Sequence, residues 1–282
     1  MKNFKIHKIQ QKLKDKNIDS LIINRTDEFL NEYIPQDAER LFWATDFSGS
    51  AGRALISQNT SNLFVDGRYT FQAKEQIDGD FISLLHLNDF SKELKKLFDK
   101  NKCVALDPKL HSIEEVNKII KLANKNGAKL HFTNPNLLDE LWTEKPERKY
   151  SSIFDHPINY AGIETLNKVD QFIQELKNNH LDSYFLSSLD SIAWLLNLRG
   201  DDILYTPLAF AYLFISVESK PVLYVCIDKL NTDLKIRLSK FLILEPIEKI
   251  ENIFNNQTKN LKIGFDYKNT SYFFYHLAIN NS

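Results

Sequence analysis

The 282-residue sequence carries the same pattern twice. In the first half a lysine-rich amphipathic stretch, Met1 to Asn17, leads into Ile18-Asp19-Ser20-Leu21-Ile22-Ile23. A segment holding Trp43 follows, then a run ending in Phe64-Val65-Asp66, then Val104-Ala105-Leu106-Asp107. In the second half a helix-patterned stretch leads into Leu181-Asp182-Ser183-Tyr184-Phe185-Leu186. A Trp194 segment follows, then Cys226-Ile227-Asp228 and Ile263-Gly264-Phe265-Asp266. From Asp19 to Asp182, Asp66 to Asp228 and Asp107 to Asp266 the separations are 163, 162 and 159 residues. Three landmarks in one order, at nearly constant separation, predict two copies of one α/β domain.

Within the first copy, helices are predicted near 4–16, 68–77, 90–100 and 112–126, and strands near 20–24, 53–57, 62–66, 81–86, 102–106 and 128–132. The helix over 112–126 has the clearest signal. Ser112 followed by Glu115 is a capping box, Ile113, Val116, Ile119, Ile120 and Ala123 share a face, and Gly127 stops it. Strands alternating with helices of this length imply a sheet covered on both faces. The second copy is predicted to hold a helix over 163–179 and strands near 181–187, 208–216, 221–226, 241–244 and 261–265, with a final helix from about Thr270.

These patterns divide the chain into a domain over 1–133, a connection over 134–162 and a domain over 163–282. The connection holds Pro135, Pro146 and Pro157 and the apolar group Leu137, Leu138, Leu141 and Trp142, which predicts an extended, docked strap. In the first copy a strand follows the helix over 112–126. In the second copy the sequence stops at Ser282 where that strand belongs, so this domain is expected to be C-terminally truncated, with an open sheet edge.

Composition narrows the function classes. Net charge is −1 and apolar residues make up 43%, as expected of a globular protein with no long-range attraction for nucleic acid or a membrane surface. The longest uncharged run, 203–217, is broken by Pro207 and is too short to span a bilayer. Cys103 and Cys226 sit in different repeats with no metal-type spacing, as in a reduced, cytoplasmic protein.

Four segments carry a family resemblance: TDEFLNEYIPQDAERLFWATDFSGSAG from Thr26 to Gly52, LFVDGRYTFQAKEQID from Leu63 to Asp78, HPINYAG from His156 to Gly162, and SLDSIAWLLNLRGDDILYTPLAFAYL from Ser188 to Leu213. In this order the chain resembles the two N-terminal domains of the Xaa-Pro aminopeptidases (aminopeptidase P) of the creatinase/prolidase superfamily, over essentially its whole length. The resemblance implies two tandem creatinase N-terminal-type α/β/α sandwich domains of ribonuclease-H-like topology. It also implies a metallopeptidase that removes the N-terminal residue from peptides with proline second. In the family that chemistry belongs to a further "pita-bread" domain, where two Asp, one His and two Glu hold two divalent metals, usually manganese. No cofactor is expected in this chain, because neither Asp78/Asp89 nor Asp190/Asp201 has the context of the family's aspartate pair. Many relatives carry histidine where this chain has Phe29 and glycine where it has Asp46.

Ser48-Gly49-Ser50-Ala51-Gly52 lacks the Lys-Ser/Thr of a phosphate loop and leads into a strand, so close backbone packing is expected there. Asp66 is placed to cap a helix and Arg68 to pair with a nearby carboxylate. Arg199-Gly200-Asp201-Asp202, beside Trp194, reads as an inter-domain or inter-subunit salt-bridge turn, or as a turn facing the cleft in a complete enzyme. Asp66, Arg68, Trp194, Arg199 and Asp201 are the residues expected at a cleft or interface.

The expected role is therefore the non-catalytic half of such an aminopeptidase, which shapes the substrate cleft and the dimer and is inactive alone. Its partners would be its own catalytic domain, a second copy, and Xaa-Pro peptides. The alternative is a stand-alone peptide- or protein-binding module derived from the peptidase. A ribonuclease-H-like hydrolase would need Asp66, Asp107, Asp228 and Asp266 clustered, whereas the repeat divides them between two domains.

Overall fold

A computed structural model describes residues 3–254, 258 and 260–280. The chain divides into two compact units, Met1–Glu28 with Gln36–Glu147, and Phe29–Pro35 with Arg148–Ser282. The segment Phe29–Pro35, from the first repeat in sequence, thus belongs to the second unit. The connection is shared too, with its residues through Glu147 in the first unit and those from Arg148 in the second.

The first unit is built on a mixed six-stranded sheet. Its strands are β1 (Ser20–Asn24), β2 (Gly52–Ser57), β3 (Ser61–Val65), β4 (Ser83–His86), β5 (Cys103–Leu106) and β6 (Lys129–Phe132), in the order β4-β3-β2-β1-β5-β6. β1 and β3 run antiparallel to β2, while β4, β5 and β6 run parallel to their neighbours β3, β1 and β5. All five residues of central β1 are buried, which explains its nearly unbroken apolar run. Side chains alternate across the sheet. Leu21, Ile23, Ala54, Ile56, Leu63, Val65 and Ala105 face one layer with Ile6, Ile9 and Leu13 of α1 (Asn3–Asp15) and Leu41 and Ala44 of α2 (Arg40–Thr45). Ala73 of α3 (Thr70–Gln76) closes this layer. On the opposite face Phe64 meets Phe90 of α4 (Phe90–Leu97) edge to face. Beside it lies α5 (Ile113–Asn126), whose Ser112 Oγ accepts from the Glu115 N–H at 3.2 Å and whose end is turned by left-handed Gly127.

The prolines of the connection do not leave it loose. Leu137 and Leu138 are buried in the first layer, and Trp142 stacks on Trp43 with ring centroids 6.0 Å apart. Arg40 holds Asp139 through two 2.8 Å hydrogen bonds, and Lys12 reaches Glu140 at 2.6 Å.

In the second unit, β7 (Phe154–Asp155) precedes the short α6 (Ile158–Ala161) and α7 (Thr165–Asn178). Next come β8 (Ser183–Leu186), α8 (Leu189–Leu196), β9 (Leu198–Arg199), β10 (Ala211–Ser216), β11 (Val222–Val225), α9 (Thr232–Ser239), β12 (Ile243–Pro246), β13 (Ile263–Phe265) and α10 (Tyr272–Asn280). β7 and β9 form a two-stranded ribbon, and the main sheet runs β12-β11-β10-β8-β13. Its parallel and antiparallel pairings repeat those of β4-β3-β2-β1-β5. Among the described residues the second sheet has no counterpart of β6. All three residues of β13 are half-buried, whereas Val104, Ala105 and Leu106 of β5 are buried. Asn281 and Ser282, where the sequence reading ends the last helix, lie outside the described residues. Ala211, Leu213 and Ile215 face α7, α8 and α9, while Tyr212 and Phe214 face an aromatic layer with Phe185, Phe254, Phe273 and Phe274.

Candidate functional site

The second unit holds a concave site of about 360 Å³ at the C-terminal ends of parallel strands β8 and β13. Clefts at such strand ends are the usual ligand sites of α/β sheets. One wall is the Phe29–Pro35 segment. Its anchor is Phe29, buried and stacked on Phe210 and Tyr212 with centroids 5.2 and 4.6 Å away. Leu30 then takes a left-handed φ of 61°, and Asn31, Glu32 and Tyr33 line the cavity. Leu189 and Ile203 form its buried apolar floor.

Two carboxylates on the opposite wall are held by their own turns. Asp266 accepts from the Lys268 and Asn269 N–H groups at 2.9 and 3.2 Å and from Asn269 Nδ2 at 2.8 Å. Asp190, in the first turn of α8, accepts from the Ser191 N–H at 2.7 Å. With Glu32 they make an acceptor-rich, anionic cavity suited to an ammonium or another hydrogen-bond donor.

The five residues singled out from sequence fall in two places. In the first unit, Asp66 caps the 3₁₀ turn Gly67–Tyr69, accepting from the Arg68 N–H at 3.1 Å and from Arg68 Nε at 2.8 Å. Those hydrogen bonds hold the Asp66 carboxyl below the ordinary aspartate range. The pair is solvent-exposed, with the Arg68 side chain 72% accessible.

In the second unit, Trp194 and Arg199 come together at the end of α8. Trp194 is exposed, and Lys168 Nζ sits 4.4 Å from its ring centre while donating to the Trp194 carbonyl and, at 2.6 Å, to Asn197 Oδ1. Lys168 itself is only 3% exposed. Burial, and then the Arg199 charge, push its pKa down. Asn197 provides the left-handed C-cap of α8 and donates to the Ile163 carbonyl at 2.9 Å.

The charges of Arg199-Gly200-Asp201-Asp202 do not pair with one another. Arg199 donates to the carbonyls of Ala193 and Leu198 at 3.1 and 2.8 Å, and has no ion pair among the described residues. Asp201 is exposed, and its N–H donates to Ser151 Oγ at 2.8 Å. Asp202 is the structural residue: its carboxylate accepts from the N–H groups of Ser151 and, at 2.7 Å, Phe210. Backbone donors satisfy it, so no cation is needed. Gly200 is also required here, since a Cβ would lie 2.8 Å from Ala209 Cβ. The Ser48–Gly52 loop is a packing feature: a Cβ at Gly49 would fall 2.2 Å from the ring of Phe47, which is fully buried.

A buried polar network in the first unit was not legible from spacing. His111, 1% exposed, has Nδ1 at 3.1 Å from Glu115 Oε2 and 2.9 Å from the Asn24 amide, and Arg53 pairs with the other Glu115 oxygen. Burial alone would raise the Glu115 carboxyl, but His111 and Arg53 outweigh it and bring its pKa to about 2. Asp107 accepts from Asn136 Nδ2 at 2.6 Å and from the Lys109 N–H at 2.8 Å, and burial raises its pKa. The sequence signal was present but faint: polar residues on otherwise apolar strand ends and at helix starts.

Among the described residues, no three His, Cys, Asp or Glu side chains gather where they could hold a metal ion. Asp190 is engaged with its own helix turn, and Asp78 accepts from the Asp80 N–H at 3.2 Å. Among the described residues, no helix is long and apolar enough to cross a membrane.

The arrangement of each unit has close parallels. The creatinase/prolidase N-terminal domain matches twice, over residues 5–135 and over residues 144–282. Two fungal proteins named "Probable Xaa-Pro aminopeptidase P", from Talaromyces stipitatus and Penicillium rubens, are 32% and 34% identical over 87% of this chain. The chain spans 38% and 41% of their lengths. The crystal structure of X-prolyl aminopeptidase from Caenorhabditis elegans, described as a cytosolic enzyme with a di-nuclear active site, superposes with a TM-score of 0.85. That match is 24% identical and covers 92% of this chain and 44% of the nematode protein. The chain belongs to the creatinase/prolidase family, as two of its N-terminal domains in tandem.

Proposed function

We propose that this chain forms the non-catalytic, substrate-shaping half of an Xaa-Pro aminopeptidase, the enzyme that releases the N-terminal residue of peptides with proline second. The observation that carries this reading is the anionic cavity of the second unit, built from Asp190, Asp266 and the inserted Glu32 segment. A carboxylate-lined concavity suits the α-ammonium or a basic side chain of a short peptide. In this reading Trp194 and Arg199, on the exposed end of α8, and Asp66, Arg68 and Asp201 lie at cleft or interface surfaces of the whole enzyme. Hydrolysis belongs to a separate catalytic domain holding two divalent metals, manganese by family analogy. The assembly acts in the cytoplasm, as a homodimer.

The test pairs cleavage with binding. Purified chain is incubated with an Xaa-Pro-Xaa tripeptide and manganese, and products are followed by mass spectrometry while binding is followed by NMR shifts of the peptide. No cleavage is expected, together with weak binding that Asp190→Asn plus Asp266→Asn lowers about tenfold. Manganese-dependent, proline-directed cleavage that survives re-purification overturns the non-catalytic assignment. Peptide binding unchanged in the double variant overturns the role of the cavity.

A further inference from the structure

The opposite face of the first unit carries a feature that the peptidase reading does not use. An open trough of about 600 Å³ runs between α4 and α5. Its floor is Phe90, Leu94, Ile119 and Leu122, and the Arg53 guanidinium lies 4.5 Å from the Phe90 ring centre. Lys95 lines one side, and Lys118, Lys121 and Lys125 line the other. The whole chain has a net charge of −1, yet the trough is lined by five cations and only two carboxylates. Both carboxylates are engaged, Glu114 with Lys118 at 3.0 Å and Glu115 with Arg53 and His111. Among the described residues, Lys95, Lys121 and Lys125 have no ion pair.

This lysine row has a local cost. Lys121 and Lys125 are four residues apart on one helix face, where like charges repel.

We infer that the α4–α5 trough is a docking surface for an acidic amphipathic helix of a partner protein. Charge complementarity selects the acid. Spacing selects the helix: Lys118, Lys121 and Lys125 recur at three and four residues along α5, the same period at which a helix lying beside it presents carboxylates. The half-buried Leu122 and the lysine stems offer the apolar strip against which leucines of that helix would pack.

The test uses the full chain and a fluorescein-labelled model peptide of about 16 residues, with leucine at helical a and d positions and glutamate elsewhere. A scrambled peptide of identical composition is the control. Binding is read by fluorescence anisotropy. Saturable binding is expected for the patterned peptide, weakened at least about tenfold in the Lys95→Glu, Lys121→Glu, Lys125→Glu variant, whose exposed positions leave its melting curve unchanged. A second variant, Leu122→Asp, is expected to weaken binding without reversing the lysine charges. Equal binding of the scrambled peptide, binding that survives the triple charge reversal, or no saturation at millimolar chain overturns the inference. Tighter, lysine-dependent binding of single-stranded DNA or phosphatidylserine vesicles than of the peptide also overturns it, because the trough would then be a polyanion surface.

Discussion

Arg40 and Asp139 face each other with two parallel hydrogen bonds, Nε to Oδ1 and Nη2 to Oδ2, both 2.8 Å. This fork-to-fork geometry fastens the connecting strap to α2, and the arginine side chain is only 11% exposed. Breaking such a pair from the acid side leaves a buried guanidinium behind. Asp139→Ala is therefore expected to cost about 3 kcal/mol. Arg40→Ala is expected to cost less, because Lys145 still reaches Asp139 at 2.7 Å. Urea unfolding monitored at Trp142 checks both, and equal, negligible shifts in midpoint would mean that the strap is held by Leu137 and Leu138 alone.

A second expectation concerns acid. The Glu115 pKa is near 2 in the folded chain, against an ordinary 4.5. A folded-state pKa below the unfolded one stabilises the protein above pH 4.5, and that stabilisation fades as pH falls from there toward 2. The gap corresponds to about 3 kcal/mol. Asp139 adds to it with the same sign, because hydrogen bonds from Arg40 and Lys145 overcome its burial and hold its pKa low. Glu115→Gln should flatten the acid limb of the stability curve between pH 5 and 2. An unaltered limb would assign acid sensitivity to other carboxylates.

Asp202, rather than Asp201, should matter for stability. Asp202→Ala strands the N–H groups of Ser151 and Phe210 and is expected to cost about 2 kcal/mol. Asp201→Ala should cost almost nothing, and Arg199→Ala about 1 kcal/mol through two lost carbonyl bonds. Thermal melts of the three variants give the ranking directly. If Asp201→Ala proved the most damaging, the turn would be arranged differently in solution.

Much of the architecture was readable because it rests on short-range patterns. Ser112 and Gly127 bracket α5 as their chemistry requires, and the alternation Ala211, Tyr212, Leu213, Phe214 separates cleanly into two layers. The capping box formed only in part, however, because the Glu115 side chain turns toward His111 and Arg53 instead of back to the cap. Helix α2 escaped notice because six residues hold too few turns for a periodic signal. Its end is set by Asp46, whose left-handed φ of 61° is a conformation that favours glycine. The turn at Arg199 is a different case. Sequence shows charges side by side but not the backbone amides that come from Ser151 and Phe210 to satisfy them. The anionic cavity needs Glu32 beside Asp190 and Asp266, residues more than 150 positions apart, and no local pattern reports such a meeting.

The loan of Phe29–Pro35 to the second unit reaches beyond the cavity it lines. A fragment beginning at Arg148 would hold every strand of that unit's sheet and still lack Phe29, leaving Phe210 and Tyr212 without their stacking partner. The second unit can finish its aromatic layer only after a loop of more than a hundred residues has closed, which raises contact order and slows folding. The same threading passes the chain out of the first unit after Glu28 and back at Gln36. A cut placed between the two repeats of the sequence therefore does not yield two complete domains.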